Sequence, residues 1–315
     1  LFLVVGGGGC VGTTIVDEAN ISEQFSVPFS AIRLPDKYDL NQVVLGHSTL
    51  NVLKGMILAA DPSQGRIFVS GIMTDTVGIV DLASGKLLDS YVLAKGAQSA
   101  KHMVYDSIHK KLWVISNSQK PTIWISDPDQ KDLLLSRDIS SAFGRINKNY
   151  PVQSIALDPK RERLYVLATV RRKHEVFIFD SSGNKVGQIL TDQNVWTLRW
   201  DTKQDALVAL TAPRNSQGNI LVFSQGQEDS KHSLNVPSSN GLPLNLLTVD
   251  GEGHFYIAGK KNLWKLDGVS GKELWRTSLP FSSSAIGVTS SEVTILHKYS
   301  TGEATNYLSK VSSWD

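Results

Sequence analysis

The chain has 315 residues, 41% of them apolar and 20% charged, which supplies material for a substantial core and excludes a disordered chain. Its 32 basic and 30 acidic residues leave a net charge of +2, so composition gives no push toward nucleic acid or an anionic membrane surface. One cysteine, Cys10, excludes an internal disulfide and a multi-cysteine zinc site, and the sequence lacks the apolar run of about 18 residues that a membrane-spanning helix requires.

The chain opens on the apolar run Phe2 to Val5 and the stretch Gly7-Gly8-Gly9-Cys10-Val11-Gly12. The stretch formally matches the G-x-G-x-x-G of dinucleotide sites, whose glycines permit a tight turn and close approach of a pyrophosphate to a helix N-terminus. Such a site needs alternating strands and helices, whereas short strand patterns begin by residue 56, so a flexible turn is the expected reading. An apolar segment ending in small residues and a cysteine also resembles the end of a bacterial lipoprotein signal. That resemblance implies a lipid anchor at Cys10, residues 1–9 as a signal remnant, and a secreted, periplasmic or membrane-anchored location over a cytoplasmic one.

Further along, short apolar runs ending in aspartate recur: Ile57 to Asp61, Met103 to Asp106, Ile155 to Asp158, Leu198 to Asp201 and Leu247 to Asp250. The aspartates are 45, 52, 43 and 49 residues apart. Each run is followed by a second strand pattern: Ile67-Phe68-Val69, Leu112-Trp113-Val114, Leu164-Tyr165-Val166, Leu207-Val208-Ala209 and Phe255-Tyr256-Ile257. A third ends near Asp81, Asp127, Asp180, Ser224 and Asp267, commonly before a turn such as Ser84-Gly85-Lys86, Ser182-Gly183-Asn184 or Ser270-Gly271-Lys272. A fourth follows, as in Leu87 to Leu93. Branched and aromatic residues suit a half-buried pleated surface, while Asp and Gly suit the turns between strands. One such small sheet cannot bury both faces, so the units must stack.

A period near 45 residues with four short strands per unit predicts a β-propeller. At the C-terminal end, Ile286 to Val288, Val293 to Leu296 and Tyr307 to Val311 supply three strands of a last blade. Asp17, Ile32 to Asp36 and Gln42 to Leu45 form an irregular first blade, and Leu1 to Val5 would complete the last one. The expectation is a single all-β domain over residues 1–315, with seven four-stranded blades closed by N- and C-terminal strands in one sheet. Six blades with an N-terminal extension are the alternative.

The pattern resembles the repeat propellers of YVTN, NHL, PQQ-like and WD-repeat type, clearly over residues 56–285. Gly46-His47 with the blade from Lys54 to Asp81 is similar to a WD repeat. Leu266 to Trp275 is similar to a PQQ-like repeat, although the other turns lack its tryptophan and no quinone or other cofactor is expected. These families share a scaffold and little chemistry.

Of the seven histidines, none shows a two-ligand spacing such as His-x-His. His102 and His254 are expected near equivalent strand positions, facing a central channel. The blade-ending aspartates could converge on a calcium ion as in lactonase-type propellers, but their repetition in every blade favours turn chemistry. The tryptophans are expected to pack between blades. The sequence therefore points to a non-catalytic interaction or scaffolding propeller that binds a protein or peptide through loops on one face, without nucleic acid and without a transmembrane helix. The insertions Ser136 to Pro151 and Ser224 to Pro243 are the candidate loops. The alternative is a propeller hydrolase of lactonase type with a metal or carboxylate site in its channel.

Overall fold

The computed structural model of the chain describes residues 29–33, 56–71, 75–81, 87–94, 100–116, 120–144, 152–170, 173–191, 193–211, 218–228, 231–236, 246–259, 262–279, 283–288, 292–298 and 306–312. Two compact units partition the chain, one of residues Tyr38–Asn194 and one of Leu1–Lys37 with Val195–Asp315. The first described strand, β1 (Phe29–Arg33), belongs with the C-terminal strands.

In the unit Tyr38–Asn194, β2 (Met56–Asp61), β3 (Arg66–Gly71), β4 (Thr76–Asp81) and β5 (Leu87–Val92) pair in that order. So do β6 (Ala100–Asp106), β7 (Lys111–Ser116), β8 (Thr122–Asp127) and β9 (Asp132–Asp138), and then β10 (Val152–Asp158), β11 (Arg163–Val170), β12 (Lys173–Phe179) and β13 (Lys185–Leu190). All pairs are antiparallel. Inner strands have no solvated face. Along β7, Leu112 and Val114 join a buried cluster with Phe68 and Ile79 of the preceding sheet. Trp113 and Ile115 join another with Leu164, Val166 and Phe177 of the following sheet. The two-residue period of a strand thus feeds two cores at once.

In the other unit, β14 (Val195–Asp201), β15 (Ala206–Thr211), β16 (Asn219–Ser224) and β17 (Lys231–Asn235) form one sheet, and β18 (Leu246–Val249), β19 (Phe255–Ala258), β20 (Asn262–Leu266) and β21 (Glu273–Ser278) the next. Val208, Leu210 and Val222 share a cluster with Leu247, Phe255 and Ile257. The last sheet has the order β1, β24 (Asn306–Ser312), β23 (Glu292–Lys298), β22 (Ser283–Val288). Here β1 pairs antiparallel with β24 from Phe29↔Val311 to Arg33↔Tyr307.

Five sheets are therefore built from four consecutive strands each, and one further four-stranded sheet combines three C-terminal strands with β1. This corrects the expected seven blades, and also the count of six beside an N-terminal extension, because Phe29–Arg33 lies inside a sheet. The sequence pattern places the strand at Ile32 in an irregular first blade. It serves instead as the fourth strand that the C-terminal blade lacks. Strand propensity marks a segment as extended but does not say which sheet it joins. Leu1 to Val5, Asp17 and Gln42 to Leu45 lie outside the described residues.

The two insertions are in part regular structure. In the first, β9 runs on to Asp138 and a short 3₁₀ helix, Ser140–Phe143, follows. Buried Phe143 packs edge-on to Phe177, with ring centroids 4.7 Å apart. In the second, β17 is the fourth strand of its sheet.

Candidate functional site

The recurring aspartates close turns. Asp61, Asp106, Asp158 and Asp201 end the first strands of their sheets and are fully buried. Oδ1 of Asp106 accepts the backbone N–H groups of Ile108 and His109, that of Asp158 those of Lys160 and Arg161, and that of Asp201 those of Lys203 and Gln204. Oδ2 takes a side chain from the same turn: His109 at 2.8 Å, Arg161 at 2.7 Å and Gln204 at 2.7 Å. At Asp61 the donors are Ser63 and Arg66. The residue four places on is left-handed in each copy, namely Gly65, Lys110, Glu162 and Asp205. Buried carboxylates engaged in this way are satisfied within their own turns.

A second regularity sits at the leading end of the first strands. The pairing of β6 with β7 skips Lys101, that of β10 with β11 skips Gln153, and that of β14 with β15 skips Trp196. In the last sheet the skipped residue is Ser284. These are β-bulges, which lift one residue out of the ladder and re-aim its side chain. In the unit Tyr38–Asn194, Lys101 Nζ donates to the carbonyl of Val152 at 3.3 Å, immediately before the next bulge. Desolvation holds this ammonium below its ordinary range. Gln153 Nε2 donates to Thr169 Oγ1 at 2.7 Å. In the other unit the bulged Trp196 leaves 48% of its surface exposed. The described Trp113, Trp124, Trp264 and Trp275 are all buried in the inter-sheet layers.

Sequence reasoning missed this set, although a signal was available. Lys101, Gln153 and Trp196 each stand five residues ahead of the aspartate that ends their strand, directly after the apolar residue that opens it, Ala100, Val152 or Val195.

His102 is half-buried on β6, opposite Ile115. His254 lies in the turn ahead of β19, its Nδ1 3.0 Å from Asp250 Oδ2. The structure places the first within a strand and the second in a turn, in different units. Asp250 also accepts the Tyr256 hydroxyl at 3.0 Å. Burial opposes ionisation of Asp250, yet the bonds from His254 and Tyr256 outweigh it and keep its carboxyl below the ordinary range, while burial and that carboxylate push the Tyr256 phenol up. Asp106, His109 and Glu162 bring three potential metal-ligating atoms within 4.8 Å of one another. His109 is the turn donor to Asp106, however, and Glu162 is paired with Lys111. Cys10 lies outside the described residues, among which no helix is long and apolar enough to cross a membrane.

No protein-family model and no curated protein matches the chain. Solved structures do share its fold. A gluconolactonase from Xanthomonas campestris is similar at 14% identity, with 97% of each chain covered and a TM-score of 0.59. Hydrazine synthase from Kuenenia stuttgartiensis is similar at 12% identity over 92% of this chain and 96% of that one, with a TM-score of 0.60. The WD40 repeats of RRP9 are similar at 15% identity over 76% and 72%, with a TM-score of 0.56. The chain is an all-β repeat protein of the propeller class. Its neighbours in that class include an enzyme and a WD40 module, and likeness at these identities carries the fold alone.

Proposed function

We propose that this chain is a binding protein that engages a protein or peptide partner at the bulged leading end of β14, around Trp196. The observation that supports this most is Trp196. A large aromatic side chain is held half-exposed on a bulge of a strand whose other residues are buried or partly buried, at a register position that other sheets fill with Lys101 and Gln153. Exposed tryptophan on a rigid support is the side chain most often found to anchor partners, because it contributes contact area at little conformational cost. The hydrolase reading needs a carboxylate free to hold a metal or activate water. The four fully buried blade aspartates already use both oxygens within their turns, which favours binding over catalysis.

The test is selection of a displayed peptide library on the purified protein, followed by affinity measurement with Trp196→Ala. Selected peptides should lose at least about tenfold in affinity with Trp196→Ala, the loss of an anchor worth roughly 1.4 kcal/mol or more. Peptides that bind Trp196→Ala as tightly as the parent protein would defeat the proposal, as would a selection that enriches none. Stoichiometric metal in the purified protein together with hydrolysis of a lactone panel would establish the enzyme instead.

A further inference from the structure

The first strands of the five consecutive-strand sheets can be compared two residues ahead of their terminal aspartate. That position holds Ala59, Val104, Ala156 and Thr248 in four sheets and Arg199 in the fifth. Arg199 pairs with Val208 across β14 and β15, and paired residues point to the same face. Val208 lies in the cluster shared with Leu247, Phe255 and Ile257 of the next sheet. Arg199 therefore stands on the face of β14 turned toward β18, where the equivalent side chains are small or apolar.

Two other partly buried arginines are balanced. Arg66 is held between Asp61 and Asp129 at 3.0 and 2.6 Å, and Arg161 lies on Asp158. Among the described residues no carboxylate forms an ion pair with Arg199. Its recorded bond is a donation from one terminal nitrogen to the carbonyl of Leu198, next to it in sequence, at 2.7 Å. Desolvation pushes the guanidinium down to about 10, so at neutral pH it remains a cation in surroundings that penalise its charge. A half-buried cation without a counter-charge is costly, and a side chain of similar volume without the charge, methionine, would fit the inter-sheet layer better.

We infer that Arg199 is an anion-binding residue, and that a carboxylate or phosphate group of a small ligand completes its ion pair on the β18-facing side of β14. The planar guanidinium offers donors in the fork that either anion accepts in bidentate fashion. One donor is committed to Leu198, which fixes the plane of the fork and leaves the others to the ligand. The site is separate from the peptide reading above, and either can fail alone.

Isothermal titration and thermal melting with succinate and with inorganic phosphate, at ionic strength held constant with chloride, test this. One of the two anions should bind saturably and raise the melting temperature, and which one does so identifies the group recognised. Arg199→Lys should weaken that binding about tenfold, because a single ammonium cannot reproduce the fork. Arg199→Met should abolish it while melting at or above the parent protein's temperature without anion, since the variant removes an uncompensated charge. Binding unchanged in Arg199→Met would overturn the inference, as would no saturation by either anion below about 10 mM. A melting temperature of Arg199→Met several degrees below the parent's would also overturn it, by showing that the arginine is a structural element.

Discussion

An aspartate ending the first strand does similar work in four successive sheets. It places a carboxyl where no solvent reaches and satisfies it inside the turn, through two backbone donors and one side chain at Asp106, Asp158 and Asp201 and through Ser63 and Arg66 at Asp61. The side-chain donor varies among Arg66, His109, Arg161 and Gln204, so the turn needs a donor and not a particular residue. Asp201→Ala orphans the N–H groups of Lys203 and Gln204 and should cost about 2–4 kcal/mol in urea unfolding. Asp250 adds a pH dependence. Because its folded carboxyl titrates below the unfolded value near 4, the stability it contributes is present above that value and lost as pH falls through the folded one. Melting curves of Asp250→Asn should show a shallower acid limb below about pH 4 than those of the parent protein. At this scale the sequence was readable, since repetition of the aspartates pointed to turns. Arg199 was not, and the bulged residues were marked only by their fixed spacing from the aspartate, because a period of two gives no warning of an extra residue in a strand.

The strands of one sheet carry unequal duties. Central strands such as β7 and β15 are buried along almost their whole length, whereas the fourth strands are largely exposed. Four of the fourth strands carry a bulge of their own, at Leu88, Leu134, Val186 and Leu274, and each of these aliphatic residues is exposed. A bulge breaks the regular edge that another strand would otherwise extend, which offsets the adhesiveness of apolar side chains there. Leu134→Lys should change stability by no more than about 0.5 kcal/mol and reduce self-association in light scattering. By contrast, Leu164→Ala, in the cluster between two sheets, should cost about 2–5 kcal/mol. The central strands were legible from their apolar triplets. The fourth strands were less so, because Asp132 to Asp138 and Lys231 to Asn235 expose most of their side chains and read as loop.

Within each unit, neighbouring sheets share their buried clusters, as in other repeat proteins. The repeat length gave the class of fold and the five regular sheets. It did not give the composition of the last one, because pairing between β1 and β24 joins segments separated by almost the entire chain, and no local pattern encodes such a partner. A variant that begins at Leu34 lacks β1 and leaves one edge of β24 unpaired. It should lose about 2 kcal/mol or more, a fall of roughly 4–8 °C in melting temperature. Equal melting of the two forms would show that β1 adds little to the sheet it completes.

The extra residue at the start of a first strand also bears on how such a protein diversifies. It lies outside the ladder of paired residues, and lysine, glutamine, tryptophan and serine stand there in four sheets. Exchanging the residue at 101, 153 or 196 should therefore leave the pairing of the strand that carries it intact.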